Sequence, residues 1–170
     1  MLTRLGIYTT AIATAITGPV FAAATFGISG AAAENGTIVV LDAKLRRCDF
    51  SLVSTAVMVP HPMLATGTAT VRRAGSTAVA DVHMVDEPEP GTHFDVGLIQ
   101  EPRPSSANCG PGDPGTAFTG LDTDATGSGN ATVQDTIRPG TTGVWVIIEQ
   151  RNPNSQNPAE FYTSEFVAPV

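Results

Sequence analysis

Two histidines and two aspartates are the residues best spaced for chemistry. Asp81 and His83 precede an acidic, proline-rich loop, and His93 and Asp95 follow it. If segments 77–85 and 92–100 pair antiparallel about that loop, His83 faces His93 and Asp81 faces Asp95. All four side chains then project from the face opposite Val82, Met84, Phe94 and Val96, because side chains alternate along a strand. Two imidazoles and two carboxylates form a donor set suited to Zn²⁺ or Cu²⁺. The competing reading is a solvated polar face on which His and Asp are ordinary hydrogen-bonding neighbours. A slip of one residue in register removes the constellation altogether.

Other chemistry is thinner. Asp122 and Asp124 with Gly127 resemble the start of a calcium loop, but Val133 stands where such a loop needs its last carboxylate. A turn-stabilising aspartate is the simpler reading of Asp124. There is no G-x-S-x-G elbow, and no Ser or Cys is set beside His61, His83 or His93 by local spacing. With 16 Asp and Glu in the chain, carboxylate pairs arise by chance, so they do not identify a glycosidase. The expectation is a protein that is not an enzyme, with no catalytic residues and no cofactor. Trp145 and Phe161-Tyr162 form either an aromatic ligand patch or core packing, and packing is the simpler reading.

The elements that would position these residues read as short strands. TIVVLDAKL (37–45) opens with β-branched residues. FSLVSTAVMV (50–59) is apolar with Ser and Thr interspersed, and stops at the corner Pro60-His61-Pro62. Segments 65–73 and 77–85 alternate about a turn at Gly75-Ser76, with Ala78, Ala80, Val82 and Met84 on one face. The acidic segment 86–91 reads as an exposed connection, and 92–100 places Phe94, Val96 and Leu98 inward. Segment 101–115, with Cys109, is a long irregular loop. From Phe118 to Ile148, turn signals at 122–129 and at Pro139-Gly140 separate three runs, which read as an antiparallel meander. FYTSEFVA (161–168) is the last run. Eight or nine strand candidates without a convincing helix after residue 33 predict an all-β, antiparallel β-sandwich.

The N-terminus is different. Residues 1–33 carry a single charge, Arg4, then an apolar Ala- and Thr-rich run ending in Ala31-Ala32-Ala33. A basic start, apolar middle and small-residue end predict a secretory signal-peptide helix, cleaved between Ala33 and Glu34, with Ala22-Ala23-Ala24 as an earlier alternative. The alternative is a retained membrane anchor, against which Gly18-Pro19 would break a spanning helix. Cleavage leaves residues 34–170 as one domain with no stable membrane anchor. Subtracting Arg4 from the 9 cations leaves 8 against 16 acids, a formal charge of −8. That balance makes nucleic acid a poor partner. In an exported chain the two cysteines predict a disulfide, Cys48–Cys109.

The segment Thr123-Asp124-Ala125-Thr126-Gly127-Ser128-Gly129-Asn130-Ala131-Thr132-Val133 resembles the T-D-x-x-G-x-A-x-V hairpin of bacterial immunoglobulin-like domains, with one extra residue at the turn. The leader, paired cysteines and Gly/Pro-punctuated strands also resemble small secreted actinobacterial sandwich proteins of undefined role. The resemblance implies an extracellular, immunoglobulin-like sandwich of seven to nine strands and carries over no functional residues. The expected function is a secreted, non-enzymatic binding or structural module, free in the extracellular space or associated with the cell wall. Its partner is expected to be a protein or small ligand at the cell envelope.

Overall fold

The computed structural model describes residues 36–54 and 59–170. The expected signal peptide and its cleavage point at Ala33 and Glu34 lie outside the described residues. Nine strands follow in order: β1 Thr37–Asp42, β2 Thr66–Ala74, β3 Thr77–Val85, β4 His93–Glu101, β5 Thr116–Asp122, β6 Ser128–Thr136, β7 Gly143–Gln150, β8 Glu160–Ser164 and β9 Ala168–Pro169. Among the described residues there is no helix, so none is long and apolar enough to cross a membrane.

All pairings are antiparallel, and the strands form one path, β5-β4-β7-β8-β1-β2-β3-β6, with β9 added to β7. The expectation of two stacked sheets therefore resolves to a single sheet nearly closed like a barrel. Its halves, β5-β4-β7-β8 and β1-β2-β3-β6, are joined where Leu41 and Asp42 of β1 meet Ser164 and Thr163 of β8. One core fills the space between them: Val71, Val82 and Met84 from one half, Phe94, Leu98 and Val146 from the other. The inward residues expected for β3 and β4 are these core residues, because strict alternation puts every second side chain on the buried face.

Two expectations about pairing fail. The run 118–148 contains the three expected strands, but they do not pair as a meander. β5 pairs with β4, β6 with β3, and β7 with β4 and β8. Turn residues set where a strand stops; its partner is set by which neighbours bury its apolar side chains. The β7 sequence GVWVIIEQ is apolar on both faces and is buried along most of its length, so it takes a central place. Nor does 50–59 form a strand over its described part. Residues 50–54 make only an isolated bridge, Leu52 to Arg46, and 55–58 lie outside the described residues.

The outer face of β4 and β7 carries a second apolar cluster, Ile99, Trp145 and Ile147. Two irregular segments cover it. One is the turn in which the Phe50 amide donates to the Arg47 carbonyl; the other is the loop after β4 that carries Cys109. Phe50 is held at φ +63°, a left-handed backbone that costs a non-glycine residue about 1 kcal/mol. That conformation lays its ring beside Trp145, with centroids 5.7 Å apart, and beneath the Arg46 guanidinium at 3.8 Å. The Cys48–Cys109 disulfide, expected from the sequence, ties the two covers together, with Cα atoms 5.5 Å apart.

Candidate functional site

The four residues expected to hold a metal are not gathered. Their convergence required β3 and β4 to form a hairpin, but β3 lies between β2 and β6, and β4 between β5 and β7. The acidic loop carries the chain from one half of the barrel to the other instead of reversing it. His83 consequently faces Asn130, with Nδ1 2.9 Å from Asn130 Oδ1. Asp81 accepts from Thr132 Oγ1 at 2.7 Å and pairs with Arg72 at 3.1 Å. His93 and Asp95 do remain neighbours, Nε2 to Oδ1 3.8 Å, but His93 Nδ1 is engaged by Asp122 at 2.7 Å and Asp95 is approached by Arg151 at 3.4 Å. These are exposed cross-strand pairs of the kind the bland reading describes.

The β5–β6 turn is likewise structural. Asp124 Oδ1 accepts from Thr126 N at 2.8 Å, Thr126 Oγ1 at 2.6 Å and Ser128 N at 3.0 Å. These donors hold its carboxyl below the usual aspartate value, the Thr126 hydroxyl contributing most. Trp145, Phe161 and Tyr162 are buried, so they are packing and not an exposed aromatic patch.

A different cluster forms where the proline corner before β2, the acidic loop and the start of β8 meet. His61 Nδ1 lies 2.8 Å from Glu89 Oε2. Glu160 opens β8 and is only 1% exposed. His61, Glu89 and Glu160 each offer a ligand atom, and these atoms lie within 4.8 Å of one another. Glu160 Oε1 takes a very short hydrogen bond from the Tyr162 hydroxyl, which in turn accepts from the Ala65 amide at 2.9 Å. Glu160 Oε2 is buried without a hydrogen-bond partner among the described protein groups.

Asp86 belongs to the same neighbourhood. It too is 1% exposed, and its Oδ2 is buried without a partner. The acidic loop is thus not simply an exposed connection: Asp86 is sunk into the structure and Glu89 half-buried, while Glu87 remains in solvent. Burial raises the Asp86 pKa, with the Glu89 carboxylate adding to the rise and His61 opposing it. Burial also raises that of Glu160, against the Tyr162 hydrogen bond, with Asp86 and Glu89 raising it further. The Tyr162 phenol is driven upward as well, by burial and by the carboxylate beside it. Two buried acids beside the half-buried Glu89 and His61 favour either bound protons or a cation, since each isolated buried charge is costly.

Local backbone holds Asp86 in place. Its amide donates to the Gly127 carbonyl at 2.8 Å, and Gly127 sits at φ +80° in the β5–β6 turn. A Cβ on Gly127 would lie 2.2 Å from the Asp86 carbonyl oxygen. Gly127→Ala is therefore expected to cost about 2–3 kcal/mol, combining left-handed strain with overpacking. Urea unfolding at pH 7 measures it, and a midpoint equal to that of the parent protein would contradict it.

Beside His61 runs a groove of about 570 Å³, lined by Pro60, His61, Gln150, Arg151, Asn152 and Ala159. Gln150 pairs with Glu160 across β7 and β8, and its Oε1 is buried without a partner. Sequence reading missed this cluster because its members lie far apart in the chain and only tertiary folding joins them. The one local signal is the Pro60-His61-Pro62 corner, where two prolines restrict the backbone around a single imidazole. Glu160 gave no signal, since nothing nearby in the chain marks a glutamate for burial. Comparison of the chain with protein-family models, with curated proteins and with solved structures finds no match.

Proposed function

We propose that this chain is exported and works outside the cytoplasm as a non-enzymatic binding or structural module, with a small ligand or an envelope protein as its partner. The observation that carries the reading is the Cys48–Cys109 cross-link, which fastens both covers over the Trp145 face. Such bonds persist in oxidising compartments and are rare where thiols are kept reduced. The leader-like character of residues 1–33 supports the same placement. The groove beside His61 is a seat of small-molecule size.

Within this reading, the two halves of the barrel act as facing layers of an immunoglobulin-like sandwich. The short β1–β8 junction and the single core between the halves support it. The test is expression of the full chain in an exporting bacterial host, followed by fractionation and N-terminal sequencing. Secreted protein that begins at Glu34 and has no alkylatable thiol is expected. Retention in the cytoplasm with residues 1–33 intact and both thiols free would defeat the proposal.

A further inference from the structure

We propose that His61, Glu89 and Glu160 form a divalent-cation site of the zinc class, at the mouth of the groove beside the proline corner. Three observations carry it. First, one imidazole and two carboxylates present ligand atoms within 4.8 Å of one another. Second, the free oxygen of Glu160 is buried without a partner while its other oxygen is committed to Tyr162, so the carboxylate retains one unused acceptor. Third, Asp86 Oδ2 is also buried and unpartnered, close enough to His61, Glu89 and Glu160 for their charges to be felt. Buried polar atoms ordinarily find partners, and two unsatisfied carboxylate oxygens on one side of a small domain call for a positive charge.

The donor set selects the ion. Calcium and magnesium take oxygen ligands in higher number, whereas one imidazole with two carboxylates is a zinc-type set. Zinc ligand bonds of about 2.0–2.2 Å set tetrahedral ligand atoms roughly 3.3–3.5 Å apart, so His61 Nδ1 and Glu89 Oε2 move apart slightly from 2.8 Å when the ion enters. The cation takes the place of the proton between His61 Nδ1 and Glu89 Oε2. Three protein ligands leave a fourth position, and His61 lies both in the cluster and on the groove wall. That position is thereby available to water or to a ligand atom lodged in the groove. Asp86 supplies negative charge behind the ligands, and the Tyr162 hydroxyl orients Glu160 as supporting hydrogen bonds do around metal ligands.

The experiment uses tag-free protein carrying the intact disulfide, stripped with chelator and titrated calorimetrically with zinc chloride, with calcium and magnesium chloride as comparators. Binding of one equivalent of zinc and a raised melting temperature that chelator reverses are expected. His61→Ala and Glu89→Gln, both at half-buried positions and expected to fold, weaken zinc binding at least ~10-fold. The double variant His83→Ala/His93→Ala binds as the parent does. Absence of zinc binding would overturn the proposal, as would binding unchanged in both His61→Ala and Glu89→Gln. Binding that disappears in the His83/His93 variant, or a calcium or magnesium response equal to that of zinc, would overturn it equally.

Discussion

Replacing Cys48 and Cys109 together by serine is expected to lower the melting temperature by roughly 10–15 °C, from a loss of about 4 kcal/mol. The cysteines are 61 residues apart, so their removal frees a long loop in the unfolded chain. The native state loses something as well. Cys109 packs on the cluster of Ile99, Trp145 and Ile147, and the partner segment delivers Phe50 to the same place. Without the tie, the two irregular covers are held by that packing and by bonds such as Arg46 Nε to the Ser164 carbonyl at 3.1 Å. Since the chain has one tryptophan, its fluorescence reports directly on this face. The variant is expected to emit at longer wavelength before global unfolding, as water reaches Trp145. Unfolding midpoints and emission spectra indistinguishable from those of the parent would show that the covers do not depend on the bond.

Trp145→Ala is expected to cost about 3–5 kcal/mol, the usual range for deleting a fully buried large aromatic side chain. Two losses combine. The Phe50, Phe118 and Ile147 side chains around it lose their contact, and the Glu101 carboxylate loses the Trp145 Nε1 hydrogen bond at 3.0 Å. Glu101 is already raised above the usual glutamate value of 4.5, chiefly by burial, while the Trp145 and Arg103 amide bonds pull it down. A carboxyl raised in the folded state adds stability below its unfolded pKa and loses it as pH rises through the folded value. In Trp145→Phe, where a ring still covers the site, removing the indole donor raises Glu101 further, so that variant's deficit is expected to be larger at pH 7 than at pH 4. Trp145→Phe, which retains most of the packing, isolates the hydrogen-bond share at about 1–3 kcal/mol. Chemical denaturation at the two pH values measures both variants; a Trp145→Phe deficit that shrinks as pH rises would contradict the account of Glu101.

The cysteine and tryptophan variants act on the covered outer face, whereas Gly127→Ala acts against the Asp86 backbone. The separation lets stability and cation binding be read independently. A Cys48/Cys109 variant that still folds is expected to retain the ligands of the zinc site, because neither His61, Glu89 nor Glu160 belongs to the outer cluster.

What the amino-acid sequence determined by itself is local. Alternation in 77–85 and 92–100 put Met84, Phe94, Val96 and Leu98 in the core, because the two-residue period of a strand sends every second side chain to the same face. Turn chemistry at Asp124 and Gly127 marked a reversal between two strands, because a carboxylate beside free amides and a glycine at positive φ need no distant partner. The cysteines were legible as a pair because only two are present. Strand partnership was decided only by the tertiary structure. The acidic loop could have closed a hairpin that joined His83 to His93; instead β3 found β2 and β6, and β4 found β5 and β7, arrangements that bury the apolar faces of both halves in one core. The same long-range choice carried Glu160 to Glu89 and His61. Hydrophobic burial is non-directional and summed over the whole molecule, so pairing, and every polar cluster that pairing creates, is settled by the complete set of contacts and not by neighbours in the chain.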